Sequence, residues 1–180
     1  MKIYVEEKYT RAAPGGVGYA KNAGNYGGAL KATAEARALG YDQVLWTDAF
    51  EHKWLQEVGT MNVFFVFGNK VVTPSLEEGT ILEGVTRDSV IQVLREQGFS
   101  VEERKINIDE VVEGHRSGKL TEIFGSGTAA TISSIKELRY KDYNMHLDVS
   151  AYQIAPSAKK ILNEIREGKR PDIHSWLVKV

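Results

Sequence analysis

The chain has 180 residues, of which 42% are hydrophobic and 26% charged, with a net charge of −1 at pH 7; these values are ordinary for one globular domain. The near-zero charge gives no electrostatic reason to expect nucleic acid or an anionic membrane as partner, and the lack of cysteine excludes disulfides, thiolate metal sites and cysteine nucleophiles. No apolar run reaches the length of about 18–20 residues that spans a bilayer, and the N-terminus lacks the apolar core of a signal peptide, so we expect a cytoplasmic protein.

The first half of the chain predicts short strands around one helix. The apolar run MNVFFVF, rich in β-branched and aromatic residues, predicts a buried strand, and Gly68-Asn69 predicts a tight hairpin after it. The run ALKATAEARAL predicts a helix over residues 29–39 that ends at Gly40. The strands expected in this half are Lys2–Val5, 41–46, 54–58, Met61–Phe67 and Lys70–Thr73.

The second half predicts three helices and further strands. Apolar residues at helical spacing predict a helix over 85–97, and acidic residues favour a short helix beginning at Asp109. A helix over 156–167 has a proline in its first turn, where proline is tolerated. The remaining expectations are strands at 99–106, 129–135 and 173–180, and a hairpin at 138–147. Four histidines are present but lack metal-ligand spacing.

The stretch GGVGYAKNAGNYGGAL places Lys21 among six glycines. Glycine weakens helices and strands, so such a cluster indicates special backbone angles or close packing against the backbone. Desolvation lowers the pKa of a buried lysine and makes its amine a nucleophile that can hold a carbonyl group covalently. A surface lysine in a mobile loop is the alternative that this stretch leaves open.

A second candidate is Glu57, which lies between Leu55 and Val58 on a predicted strand. A half-buried carboxylate needs a charged or protonated partner, because its desolvation is otherwise costly. A protonated pyridine nitrogen is one such partner, whereas an edge-strand glutamate that faces water is the alternative.

Two further stretches are typical of anion sites. The sequence Gly84-Val85-Thr86-Arg87 begins a predicted helix, where free N–H groups and the helix dipole favour a phosphate. The glycine loop GSGTAAT offers close backbone donors and the hydroxyl of Thr128. Simple helix capping and an ordinary loop remain alternatives. Pyridoxal phosphate is one ligand that would use the amine, the carboxylate and both anion sites, with the phenol of Tyr26 on its ring hydroxyl.

Four of these stretches, in this order, resemble the large C-terminal domain of the branched-chain aminotransferases of fold type IV. They are RAAPGGVGYAKNAGNYGGAL, DQVLWTDAFEHKWLQEVGTMNVFFVF, LEGVTRDSVI and FGSGTAATISSI. The resemblance implies a mixed α/β (α+β) fold, with a mostly antiparallel sheet or closed pseudo-barrel flanked by helices. It also implies transfer of an amino group between leucine, isoleucine or valine and 2-oxoglutarate, with pyridoxal phosphate as cofactor.

The resemblance implies roles for four residues around the cofactor ring. Lys21 would hold the aldehyde and transfer protons, and Tyr26 would contact the ring hydroxyl. Glu57 would contact the pyridine nitrogen, with Thr60 behind it.

Four more residues would serve the phosphate and the substrate. Val85 and Thr86 would offer phosphate contacts, while Thr128 would contact the phosphate and, with Ala129, the substrate carboxylate.

The resemblance also has departures. Members of the family are roughly twice this length by the usual domain-size prior, so we expect residues 1–180 to form a single cofactor-binding domain without the family's N-terminal domain. That domain would supply an arginine to the phosphate, and an uncovered face favours a homodimer or other self-association. Two alternatives stay open: a module that binds the cofactor with little turnover, and a D-amino-acid aminotransferase or aminodeoxychorismate lyase on the same fold.

Overall fold

The computed structural model describes residues 1–178 as a mixed α/β domain. Within that range, the strands are β1 (Lys2–Val5), β2 (Gln43–Thr47), β3 (Leu55–Val58), β4 (Met61–Phe67), β5 (Lys70–Thr73), β6 (Ser100–Glu103), β7 (Leu120–Gly127), β8 (Thr131–Ser134), β9 (Glu137–Tyr140) and β10 (Tyr143–His146). The helices are α1 (Ala23–Ala38), α2 (Val85–Glu96), α3 (Ile108–Arg116) and α4 (Ile154–Arg166), with a short 3-10 turn at Val149–Ala151.

Strand β4 is the centre of the sheet. Its run MNVFFVF is buried along nearly its whole length, as expected for a strand covered on both faces. One edge of β4 pairs with β7, and the other edge pairs first with β3 and then with β5. The path β10-β9-β1-β2-β3-β4-β5-β6 runs through it, and β8 extends the branch from β7. Three pairings, β1–β2, β1–β9 and β5–β6, are parallel and the others are antiparallel, so the predicted fold class is confirmed.

The strand register places three polar side chains in a row. Glu57 of β3 is directly opposite Asn62 of β4, and Asn62 is directly opposite Ser126 of β7. Residues that are directly opposite in a sheet present their side chains on the same face. All three side chains are buried, so this face of the sheet carries polar groups beneath the surface.

The core lies between the sheet and helices α2, α3 and α4. Phe64 of β4 and Phe124 of β7 stack with ring centroids 5.0 Å apart, and α4 contributes its buried face of Ile154, Ala158 and Leu162. Helix α1 is different, because only Ala32 and Ala36 of its 16 residues are buried, against β2. The remainder of α1 presents a largely exposed surface.

Several element bounds differ from those predicted. Helix α1 begins at Ala23 rather than at residue 29, because Asn22 caps it by accepting a hydrogen bond from the Gly24 N–H at 2.8 Å. The strand expected at 99–106 is limited to Ser100–Glu103. The strand predicted at 173–180 is wrong over residues 173–178, where the chain packs without a ladder partner; residues 179–180 lie outside the described residues.

Candidate functional site

A cleft of about 490 Å³ opens between the polar face of the sheet, the loop before α1 and the start of α2. All eight residues singled out in the sequence line it: Lys21, Tyr26, Glu57, Thr60, Val85, Thr86, Thr128 and Ala129. They come from separate parts of the chain, so the fold, rather than the sequence order, brings them together.

Lys21 lies at the rim of this cleft, in the last turn of the loop before α1. The Asn25 side-chain amide fastens that loop, because its Nδ2 donates to the carbonyls of Val17 at 2.9 Å and Ala20 at 3.0 Å. Lys21 itself is exposed. Of the two possibilities left open by the sequence, the described structure therefore shows the exposed lysine, since no other element of the described chain covers that side of the cleft.

Glu57 lies at the floor of the cleft and is only 3% exposed. One oxygen accepts the Leu82 backbone N–H at 2.7 Å, and the other is paired with the guanidinium of Arg11. Burial raises the pKa of Glu57 to about 7, against the opposing effects of Arg11 and the Leu82 N–H. The predicted burial is confirmed and the water-facing alternative is wrong, but the observed partner is an arginine, which the sequence analysis did not identify.

Arg11 connects three parts of the cleft wall. Besides Glu57, its guanidinium donates to the Gly18 carbonyl at 3.3 Å and the Thr80 carbonyl at 3.2 Å. It thus joins the loop that carries Lys21 to the segment that precedes α2. Arg11 is within the stretch RAAPGG, but nothing in the local pattern distinguishes it from a solvated arginine.

The start of α2 presents backbone donors toward the cleft. The N-cap residue Gly84 has no side chain to satisfy the first N–H groups, and Val85 is 82% exposed. Across the cleft, Thr128 and Ala129 form the exposed turn between β7 and β8. These two groups of backbone donors and hydroxyls give the cleft two places where an anion can be bound.

Ser126 provides a further polar group that the sequence analysis did not identify. Its side chain is 1% exposed, and its Oγ has no hydrogen-bond partner among the described residues. Because an unpaired buried hydroxyl is costly, this atom is suited to a polar ligand in the cleft that it lines.

The fold and these segments place the chain in a known class. The sequence profile of the family described as Amino-transferase class IV matches residues 3–138, and the chain therefore belongs to that family. Among curated proteins, it is 48% identical over 180 residues to a probable branched-chain-amino-acid aminotransferase of Staphylococcus aureus (strain N315), covering 99% of this chain and 50% of that protein. It is 47% identical to branched-chain-amino-acid transaminase 1 of Bacillus subtilis (strain 168), covering 100% of this chain and 51% of that protein.

Solved structures show the same fold. The chain matches the branched-chain amino acid aminotransferase of Escherichia coli with a TM-score of 0.83 and 25% identity, over 99% of this chain and 55% of that one. It matches a second branched-chain amino acid aminotransferase, complexed with N-(5'-phosphopyridoxyl)-L-glutamate, with a TM-score of 0.82 and 26% identity, over 98% of this chain and 55% of that one. The chain spans about half the length of the curated relatives it matches.

Metal-binding clusters and membrane-spanning helices are both absent from residues 1–178. In that range, no group of three or more His, Asp or Glu side chains could hold a metal ion. No helix of the described chain has the length and apolar character needed to cross a membrane.

Proposed function

We propose that this chain is the cofactor-binding half of a pyridoxal-phosphate-dependent branched-chain aminotransferase. The reaction proposed is transfer of an amino group between leucine, isoleucine or valine and 2-oxoglutarate. The observation that carries the proposal is the convergence of an amine, Lys21, and a buried carboxylate, Glu57, on one cleft whose far sides offer backbone donors. The names of the relatives support the choice of branched-chain substrates.

The residues present fit the cofactor. The cleft volume of about 490 Å³ is within the usual range of about 300–1,000 Å³ for cofactor sites, and the unpaired Ser126 hydroxyl at its floor is an unused polar contact. When bound, pyridoxal phosphate supplies an aromatic ring that withdraws electrons from the reacting carbon.

Each residue at the ring end has a defined role in this proposal. Lys21 would hold the cofactor aldehyde through Nζ, and its amine would take a proton from, or return one to, the reacting carbon. Glu57 would accept a hydrogen bond from the protonated ring nitrogen, and its charge would stabilise that proton. Tyr26, 46% exposed at the rim, donates to the ring hydroxyl, and Thr60 supports the Glu57 end.

The other end of the cleft binds negative charge. Val85 and Thr86 offer the phosphate the backbone N–H groups and the hydroxyl at the start of α2. Thr128 offers a second set of phosphate contacts and, together with Ala129, holds the substrate carboxylate. The positive end of the α2 dipole favours the phosphate dianion at this place.

The exposure of Lys21 favours a second candidate, in which the chain binds the cofactor with little or no turnover by itself. The described residues leave the Lys21 amine open to water, which a closed active site would exclude. The chain also covers half the length of its relatives. No observation favours D-amino-acid transamination or lyase chemistry. Self-association through the exposed face and a cytoplasmic location stay predictions.

Titration with pyridoxal phosphate tests cofactor binding. We expect an absorbance band near about 410–430 nm, as general Schiff-base chemistry gives, that is lost in Lys21→Ala and retained in Lys31→Ala, a matched lysine on the exposed α1. No band, or a band that survives Lys21→Ala, would contradict the proposal. A coupled assay of leucine with 2-oxoglutarate then separates the candidates, because a band without turnover supports the second one.

A further inference from the structure

The backbone of Leu82 is held on both sides of its Cα atom by the polar row on the sheet. Its N–H donates to Glu57 Oε1 at 2.7 Å, and its carbonyl accepts from Asn62 Nδ2 at 2.9 Å. Glu57 and Asn62 are directly opposite one another in the β3–β4 ladder. Two neighbouring strands therefore fix the two consecutive peptide groups that flank Leu82, in the segment that leads into α2.

Asn62 also packs closely against Gly84, the N-cap residue of α2. A Cβ atom added to Gly84 would overlap Asn62 Oδ1, so the asparagine occupies the space beside the helix N-cap. Asn62 is 6% exposed and its backbone lies between β3 and β7, which leaves it little freedom to move. One end of its amide thus fixes Leu82, and the other end abuts the N-cap residue of the helix.

We propose that Asn62 is a positioning residue that sets the distance between the Glu57 carboxylate and the N-terminus of α2. This inference rests on the proposed function, in which Glu57 serves the ring nitrogen of the cofactor and the start of α2 serves its phosphate. In this assignment Asn62 contacts neither the ring nitrogen nor the phosphate of the cofactor. It selects a phosphorylated pyridine aldehyde over its unphosphorylated analogue by holding the helix start where the phosphate lies.

The test compares pyridoxal phosphate with pyridoxal in the full chain. Both aldehydes reach Lys21, but only one carries the phosphate, so the ratio of their affinities reports the phosphate site alone. Losing one positioning hydrogen bond should reduce this ratio about three- to tenfold in Asn62→Ala, with pyridoxal affinity changed less than twofold. Asn69→Ala, which removes a side-chain donor to the Gly98 carbonyl remote from the cleft, should leave the ratio unchanged.

A second pair of variants separates positioning from general loosening. Gly84→Ala has a backbone conformation that alanine accepts, with φ −75° and ψ 126°, so its effect arises through the contact with Asn62. We expect it to reduce the ratio in the wild-type background and to have little further effect in Asn62→Ala. Independent effects of the two changes would overturn the proposed role, as would an equal loss of affinity for both aldehydes.

Amide hydrogen exchange provides a readout that needs no ligand. Asn62→Ala should accelerate exchange of the Leu82 N–H while the amides of β4 and β7 stay as protected as in the wild type. An unchanged Leu82 rate would overturn the positioning role even if the aldehydes bind. If instead neither aldehyde binds at Lys21, the proposed function fails and the selection of a phosphate fails with it, whereas the exchange result still decides whether Asn62 holds the turn.

Discussion

The guanidinium of Arg11 lies against the carboxylate of Glu57, with 9% of the arginine side chain and 3% of the glutamate side chain exposed. The two residues belong to different parts of the chain, and the same arginine also donates to the carbonyls of Gly18 and Thr80. The pair therefore joins the strand floor of the cleft to the loop that carries Lys21.

Arg11→Met should strongly destabilise the chain at pH 8. It leaves a buried carboxylate without its cation, for which the usual cost is about 3–5 kcal/mol. The loss should be smaller at pH 5, where Glu57 is protonated. Urea unfolding at both pH values measures it. Arg104→Met, which breaks two half-exposed pairs, with Glu102 and Glu110, should cost at most about 1 kcal/mol per pair. Equal losses for the two arginines at pH 8 would rule out a special role for the buried pair.

Glu57 should give the free energy of unfolding a specific pH dependence. Burial raises its pKa to about 7 from an ordinary 4.5, so between these values the folded chain binds more protons than the unfolded chain. Its contribution is fully present below pH 4.5 and is lost as the pH rises through 7, by about 3 kcal/mol in total. We expect the difference in stability between wild type and Glu57→Gln to change by this amount over the range, measured by denaturant unfolding. Parallel pH profiles would show that Glu57 titrates normally.

Glu57→Gln should also bind pyridoxal phosphate but lose most of the rate in any active form of the enzyme. A neutral amide cannot stabilise the proton on the ring nitrogen as a carboxylate does. The measurement is the absorbance band together with the coupled leucine assay. Unchanged turnover would remove the electronic role from this residue.

Two glycines near Lys21 should respond in opposite directions to alanine. A Cβ on Gly18 would lie 2.6 Å from the Thr80 carbonyl oxygen and 2.6 Å from the Ala12 Cβ, so Gly18→Ala should destabilise by about 1–3 kcal/mol. Nothing lies within 4 Å of a Cβ on Gly28, which is inside helix α1, so Gly28→Ala should stabilise by about 0.5–1 kcal/mol. Thermal unfolding of the two variants checks the sign, and the same sign for both would contradict the packing described.

Asp48 should protect the chain against acid. Burial pushes its pKa upward, but the backbone N–H groups of Glu51, Lys53, Trp54 and Phe50 outweigh that effect and hold it at about 2, below the ordinary 3.8. The stabilisation is present above pH 3.8 and is lost as the pH falls through 2; it amounts to about 2 kcal/mol. Asp48→Asn should therefore destabilise at pH 7 and have much less effect near pH 2. A destabilisation of the same size at both pH values would contradict the proposal that the ionised form of Asp48 stabilises the fold.

The sequence was most informative where a local pattern determines the structure. The apolar run of β4 and the turn at Gly68-Asn69 predicted the centre of the sheet, since both signals are local. The start of α1 was placed six residues too late because three glycines, at positions 24, 27 and 28, suggested a loop, whereas the Asn22 cap outweighs their low propensity.

The sequence indicated which residues line the cleft better than it indicated which residues surround and contact them. The eight chosen positions line one cleft, although their roles stay predictions. Arg11 and Asn62 were missed because their importance comes from contacts distant in the chain, with Glu57 and with Leu82. Whether Lys21 is exposed depends on which other elements cover its loop. The local glycine pattern carries no information about that.

The sparse anchoring of α1, through Ala32 and Ala36, gives the cleft walls unequal resistance to local opening. Glu57 belongs to the buried strand β3, whereas Lys21 directly precedes a helix with few buried contacts. The side of the cleft that carries Lys21 should therefore open locally at a lower free energy than the side that carries Glu57. A ligand that contacts both Lys21 and Glu57 would connect α1 and the loop before it to the more stable sheet. Occupancy of the cleft would then be linked to the folding of α1, and each would strengthen the other.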